Sequence, residues 1–563
     1  VVRAFIADQW AALNYKTGVF PRTGRPGTGT APTWVDDVDA RRLTAYQLLG
    51  AYRQNCAANF MPEPPNRTLR EIVQADLIAG GMTEPPDYRD KLREYGHAAL
   101  LVAQARSLLL GDEQTIDVPD ARDVPDDGTA AEKQAAAFAL QFQEWLEQWA
   151  DEEMLRLILH SMEENACGDG DGVLALGWDE QRGRPRLRKY DPGFYFPDLT
   201  TDELDWPSTV HIAWEITLPG NVQALRRQTW RLVEVGPWRP RYATGDDRPS
   251  TVTCVYSDGT WRLDTLRDNQ TVYDLPDNRA DWRVRDEDQQ VDFIPVIHVP
   301  NTPDAEGHFG RSILLSVAQI LDDLARTDSD LQAASEVSGS APLVQSAGAQ
   351  NLPGGPGAVW TGTDARYLDT SRNLVSGLDY SEHLLDTLSV NSRLAAALLG
   401  RIKPNEVPSG YALELGFAAT RNLIREMRLV RDSKYALLAK FALRLAQQHE
   451  QLPGGATPRA QITLGSFLPA DKTATVDRIS KLLPVHGISV RTAVQELLEV
   501  GFPIDDAEEE VDRILAEWGD LAVKAVDATG DPNVGRKILG LDNLTVPVVP
   551  PALPTNGNQP AAT

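Results

Sequence analysis

Cysteine is nearly absent. Cys56, Cys167 and Cys254 are the only three in 563 residues, widely spaced and with no CxxC pair, so neither a disulfide framework nor a zinc site follows. Buried thiols in a reducing compartment are expected instead. Positive charge is also short: 55 Lys and Arg stand against 81 Asp and Glu, a formal charge of −26. That balance argues against a surface that grips nucleic acid or anionic lipid by counterion release. No apolar run reaches the eighteen or so residues of a membrane span, and VVRAFIADQW lacks the regions of an export signal, so a soluble, unexported chain is expected.

The signatures of catalysis are missing as well. There is no GxxxxGK[ST], HExxH or GxSxG, and GRPGTG at 24–29 follows no clear strand and lacks the Lys of a phosphate loop. The eight His are scattered, with His383 and His486 reading as a solvated and a turn residue. CGDGDGVLALGWDE sets Asp169, Asp171 and Glu180 at EF-hand-like spacing, but Val173 and Leu174 stand where that loop needs an oxygen ligand and a glycine. It reads as a turn opening a strand. No enzyme activity, cofactor or metal is expected.

What is present is a 42% hydrophobic chain, long enough for three or four domains. After the Gly- and Pro-rich arm that ends near Trp34, helical patterns run over Asp37 to Met61 and Asp90 to Leu110. An acidic linker, Val118 to Ala130, precedes Ala131 to Ala166, one long helix or a broken pair. From Gly168 to Asn301 the period switches to short alternating strands, with SDG between Tyr256 and Thr260 as a hairpin turn. Seven of the thirteen Trp fall between Trp178 and Trp282, as expected for packing on sheet faces. The class is mixed α+β.

The organising stretch runs from Gly310 to Gln448. Ile313, Leu314, Val317, Ile320, Leu321 and Leu324 recur at helical spacing, so Ser312 to about Val337 reads as one helix. A Gly- and Pro-rich insert follows, then a helix from Gly377 to a C-cap at Gly400, the loop RIKPNEVP, and a basic helix opening at Ser409. On that helix Arg421, Arg425 and Arg428 share a face, expected to be solvated or subunit-facing in preference to a DNA contact. Strand Ala460 to Phe467 and three short helices, Asp471 to Leu483, Ser489 to Val500 and Asp505 to Trp518, lead to a proline-rich tail expected to lack order.

The order of NTPDAEGHFGRSILLSVAQILDDLARTDSDLQ, VPSGYAL and LGSFLPADKTATVDRISKLLPVHGISVRTAVQELLEV resembles the portal protein of tailed bacteriophages, the siphophage-like head-to-tail connector family. The resemblance implies a wing over 1–309, with its β-rich subdomain at 168–301. It further implies a stem helix over 310–340, a small α/β clip over 341–376 and a second stem helix over 377–400. A tunnel loop over 401–409, a basic helix and wing strand over 410–470, crown helices over 471–520 and a terminal segment over 521–563 complete the layout. By the same resemblance the stem helices line a channel whose wall carries Asp322, Asp323, Asp328 and Asp330. Arg401, Lys403, Pro404, Asn405, Glu406 and Pro408 then form the loop nearest DNA, with Pro404 and Pro408 limiting its freedom. Leu343, Val359, Trp360 and Leu368 belong to the clip that meets adaptor and terminase.

The implied function is a ring, a dodecamer in the particle, at one capsid vertex. Double-stranded DNA would be packaged and ejected through it without sequence preference. Implied partners are further copies of the chain, the major capsid protein, the terminase large subunit, a head-tail adaptor and a scaffold protein, with assembly in the host cytoplasm and no membrane. A different virion ring or scaffold-associated protein, lacking a DNA channel, is the alternative.

Overall fold

The computed structural model describes residues 34–55, 95–111, 114–121, 129–199, 206–266, 270–276, 291–302, 308–339, 343–345, 365–367, 371–401, 416–465, 472–483, 487–499 and 507–531, with single positions at 502, 504 and 534. It divides into two compact units, 1–467 and 468–563. The class is mixed helix and sheet, and among the described residues every strand pair is antiparallel.

In the first unit, α1 (Asp37–Arg53) opens on Asp36, whose carboxylate accepts from the Asp39 N–H at 2.7 Å. Next comes α2 (His97–Leu110). The stretch read as one helix or two is two, α3 (Ala130–Glu152) and α4 (Leu155–Asp169). Thr129 and Glu132 form a capping box at the start of α3, and Met154, at φ 52°, turns the chain between the pair.

Seven strands follow: β2 (Asp171–Asp179), β3 (Arg184–Tyr190), β4 (Tyr195–Pro197), β5 (Thr209–Leu218), β6 (Val222–Trp238), β7 (Ser250–Arg262) and β8 (Val296–Pro300). They form a three-stranded sheet, β3-β2-β8, and a four-stranded sheet, β4-β5-β6-β7. The expected SDG turn is overturned. Residues 257–259 run straight through β7, paired with Thr229, Gln228 and Arg227. Two contacts explain it: Arg226 grips Asp258 at 2.6 Å, and the face of Gly259 is occupied by the Trp261 ring, 2.3 Å from where a Cβ would sit. The real turn lies between β5 and β6, where Gly220 and Asn221 take φ 88° and 57°.

A 3-10 turn, Ile313–Ser316, leads into α5 (Ala318–Gly339). The helix read as beginning at Ser312 therefore starts later, because the Ser312 hydroxyl caps the turn, accepting from Leu314 N–H at 3.0 Å. Strands β9 (Leu343–Gln345) and β10 (Ala365–Tyr367) pair as a ribbon, and α6 (Ser371–Ser392) returns. The expected start at Gly377 is corrected: Gly377 lies inside α6, on the face toward α5, where a Cβ would come 2.5 Å from Leu331. The helix also stops short of Gly400. Arg393, at φ 61°, ends it, and turns fill the interval. Then come α7 (Ala418–Gln448) and β11 (Gln461–Leu464), which pairs with β1 (Gln114–Asp117).

Three apolar clusters hold the unit. One joins α1, α2, the start of α5, the end of α6 and Leu423, Ile424 and Met427 of α7. A second joins α3, α4, the inner face of β2 and Tyr435 to Ala446 of α7. The third lies between the two larger sheets, with Val173, Ile212 and Trp230 at its centre. Helix α7 thus threads two cores, and the seam between them falls at Arg431.

The second unit has α8 (Lys472–Leu482), α9 (Val490–Glu499) and α10 (Ala507–Thr529). Ser489 caps α9 as expected, accepting from Thr492 N–H at 3.1 Å. Helix α10 continues well past Trp518. Gly519 meets nothing within 4 Å and does not stop it, whereas Gly530, at φ 66°, does.

Candidate functional site

Helices α5 and α6 lie antiparallel, since Ser381 donates to Asp328 at 3.0 Å while Gly377, earlier in α6, meets Leu331, later in α5. Each has 22 residues, roughly 33 Å at 1.5 Å per residue. The β9–β10 ribbon closes the far end of this hairpin, and the near end is rooted in the first unit. The root is a chain of buried polar contacts between elements far apart in sequence.

Asp171, at the start of β2, is its first node. One carboxylate oxygen accepts from Gly310 N–H at 2.6 Å and contacts His298 Nε2 at 2.7 Å, and the other accepts from Tyr46 OH at 2.5 Å. Burial alone would raise the pKa of Asp171, but the bonds from His298, Tyr46 and Gly310 outweigh it and hold the group below the usual carboxylate range. His298 stacks on His308 at 4.5 Å, and His308 bonds Tyr195 OH at 3.0 Å. The backbone is equally constrained. A Cβ on Gly310 would sit 2.1 Å from the Gly170 carbonyl, so only glycine fits where the chain enters the hairpin. Asn301 N–H donates to that same carbonyl at 2.8 Å, and Ser312 OH to the Gly168 carbonyl at 2.7 Å.

Arg431 is the second node. Its guanidinium pairs with Glu163 at 2.8 Å, both side chains being wholly buried, and also donates to the Asn301 side chain at 3.0 Å and to the Asn301 carbonyl. Tyr435 OH donates to the same Glu163. Burial would lower the Arg431 pKa, yet the charge and hydrogen bonds of Glu163 raise it, so the guanidinium stays charged. Cys167, beside it, is pushed up to about 12 by burial and by Glu163, so its thiol stays protonated.

Of the three residues of the expected solvated or subunit-facing stripe, Arg421, Arg425 and Arg428, the last turns inward. Arg428 donates to the carbonyls of Leu108, Leu109, Leu464 and Gly465, at 2.7 Å for the last, tying α7 to the end of α2 and to β11. Arg444 lies over the Tyr242 ring at 4.7 Å. Arg425 remains on the outer face with Asn422 and Leu429, which is 72% exposed. Residue type cannot tell an inward Arg from an outward one. The signal available was spacing, because Arg428 and Arg431 fall beside Met427, Ile424 and Tyr435 on the apolar face.

The four acids assigned to a wall separate. Asp322 accepts from Tyr52 OH at 2.6 Å, and Asp328 accepts from Ser381. Asp323 is half-buried and Asp330 is exposed. Arg401 pairs with Asp386 of α6 at 2.9 Å. Lys403, Pro404, Asn405, Glu406 and Pro408 lie outside the described residues, as do Val359, Trp360, Leu368, Cys56 and His486; Leu343 is described only as the first residue of β9. Sequence reasoning missed Glu163, Asp171, His298 and His308, whose partners lie 113 to 272 residues away where the bonds reach Tyr46, Tyr195, Arg431 or Tyr435.

Among the described residues no group of three His, Cys, Asp or Glu is placed to hold a metal ion, and no helix is long and apolar enough to cross a membrane. No family model matches the chain, and no curated protein matches it. Among solved structures it is similar to the neck of an empty GTA particle computed with C6 symmetry, at 11% identity, with a TM-score of 0.34, over 76% of this chain and 97% of that one. Similarity at that level is too low to establish a common fold.

Proposed function

We propose that the chain is a ring-forming structural subunit of a tailed-phage-type particle, acting as a portal at one capsid vertex. The observation that carries this reading is the antiparallel α5–α6 hairpin, closed by a strand ribbon and rooted by Asp171 and Arg431. Such a rod suits the wall of a passage, because its base is fixed while one long face stays open to neighbours. The order of helix, ribbon, helix and long helix is also the order the family resemblance implies.

On this reading copies meet head to tail, as closed rings require, and duplex DNA passes through without being held. The net negative charge of the chain suits that task, since a wall that bound phosphate tightly would resist each step of translocation. Arg401 is then the first cation of the loop at the DNA. Its exchange from Asp386 to phosphate costs little, an exposed pair being worth only about 0–1 kcal/mol. Terminase, adaptor, major capsid protein and scaffold would dock on the outside, and no catalytic step is asked of this chain.

Negative-stain electron microscopy of the purified protein tests the reading. A cone-shaped ring with a central hole is expected. Monomers that hydrolyse ATP would contradict it, and a solid disc would favour a virion component without a channel. In assembled particles, replacing Arg401 and Lys403 with Ala should leave rings intact but lower DNA packaging or retention.

A further inference from the structure

Between the two larger sheets, beyond the cluster of Val173, Ile212 and Trp230, lies a groove of about 800 Å³. Its floor is the outer face of β2 at Ala175 and Gly177, and a Cβ on Gly177 would meet nothing within 4 Å. The β2–β3 register sets Arg188 opposite Ala175 and Arg186 opposite Gly177, so two guanidinium groups stand beside the smallest residues of the neighbouring strand. Arg186 is 4.0 Å from Asp179, the outer limit of an ion pair. Arg188 is exposed and makes no ion pair among the described residues.

The opposite wall is already built. Tyr190 OH donates to Gln228 at 2.8 Å, Gln228 donates to Asp258 at 3.2 Å, and Arg226 holds both oxygens of Asp258 at 3.0 and 2.6 Å. These bonds fix Tyr190 and Gln228, and Tyr256 donates to the same Asp258 at 3.3 Å. An incoming ligand would not have to order them. Along β2, from Ala175 to Asp179, the groove follows about 13 Å of strand at ~3.3 Å per residue. About four extended residues span that length, so a hexapeptide covers it with a residue to spare at each end.

We propose that this groove binds an extended segment of a protein partner in which carboxylates stand beside one apolar or aromatic residue. The carboxylates meet Arg188 and Arg186, whose planar donors match them in bidentate fashion, and the apolar residue rests on Tyr190 and Tyr256. Charge favours a peptide over nucleic acid. Two cations next to Asp179 and Glu180 are too few for a phosphate backbone, where affinity accrues over several neutralised phosphates. The site is separate from the helical hairpin and stands whether or not the chain forms a ring.

The test uses the full chain and a fluorescein-labelled hexapeptide of sequence FDEDEG, followed by fluorescence anisotropy. Saturable binding is expected, weakened about tenfold or more by Arg188→Glu, the scale of a lost charge-assisted pair. Gly177→Leu fills the floor and should abolish binding, while the charge-reversed peptide FKRKRG should not bind. Arg188 is exposed, so the melting temperature of Arg188→Glu should match that of the parent and the loss reports on the groove itself. Three results would overturn the proposal: no saturation up to the solubility of the peptide, equal affinity in Arg188→Glu, or displacement by a short DNA duplex as effective as by unlabelled peptide.

Discussion

At the root of the hairpin, Glu163 and Arg431 are wholly buried and matched to each other, and Asp171 is held by three donors. Along the shaft the opposite holds. One face of α6 packs on α5 through Gly377, Ser381, Leu384 and Leu388, while Val375, Leu378, Asp379, Glu382, Asp386 and Val390 form an outward stripe, Val390 being 74% exposed. The root is completed by one copy of the chain, and its contacts specify where the hairpin begins. Apart from Asp386, which Arg401 meets, the stripe carries apolar and acidic groups that this copy does not cover, the pattern expected of a face that meets further copies.

The comparison can be broken most forcefully at Arg431. Arg431→Met leaves Glu163 and Tyr435 buried without their cation, and a loss of about 3–5 kcal/mol is expected, the scale of a severed buried pair. Denaturant unfolding would measure it, and replacing Glu163 and Arg431 together with apolar residues should restore much of the loss. A change within 0.5 kcal/mol would mean that the seam between the cores is not held by this pair.

Asp171 sharpens the same contrast through pH. Its folded pKa is depressed, so its contribution is fully present above the unfolded carboxylate value of about 3.9 and is lost as pH falls through the lower folded value. Asp171→Asn should lower stability near neutrality by about 1–3 kcal/mol and flatten its decline below about pH 4. Stability curves that remain parallel through acid would remove Asp171 from the root.

Within the shaft, Gly377 leaves the space that the Leu331 side chain fills. Gly377→Val should cost about 1–3 kcal/mol, because the new side chain must displace Leu331. The loss would appear in the melting temperature, and hydrogen exchange in α5 and α6 should quicken together. On the outer stripe, Asp379→Ala with Glu382→Ala should shift stability by less than about 0.5 kcal/mol, yet change the concentration at which copies assemble. If that variant assembles like the parent, the stripe is not an interface.

Much of the shaft was legible in sequence and little of the root. Apolar recurrence at three and four residues located α5, α6 and α7, and alternation located the strand-rich stretch from Gly168 to Asn301, because both periods are local properties of the chain. Gly377 misled because glycine serves both to end a helix and to let two helices touch, and only the partner, Leu331, decides between them. SDG misled for a similar reason: its turn preference yields to Arg226 across the sheet. The root was hidden because its donors and acceptors are scattered from Tyr46 to Tyr435. A buried Arg431 and an exposed Arg425 look the same until the two cores that enclose one of them have formed.

The contrast between a finished root and an unfinished shaft is tested most directly by light scattering on the purified full chain over a range of concentrations. A single large species, of the mass of a closed ring of many copies, is the predicted result. Only monomer or dimer at the highest concentration would contradict it.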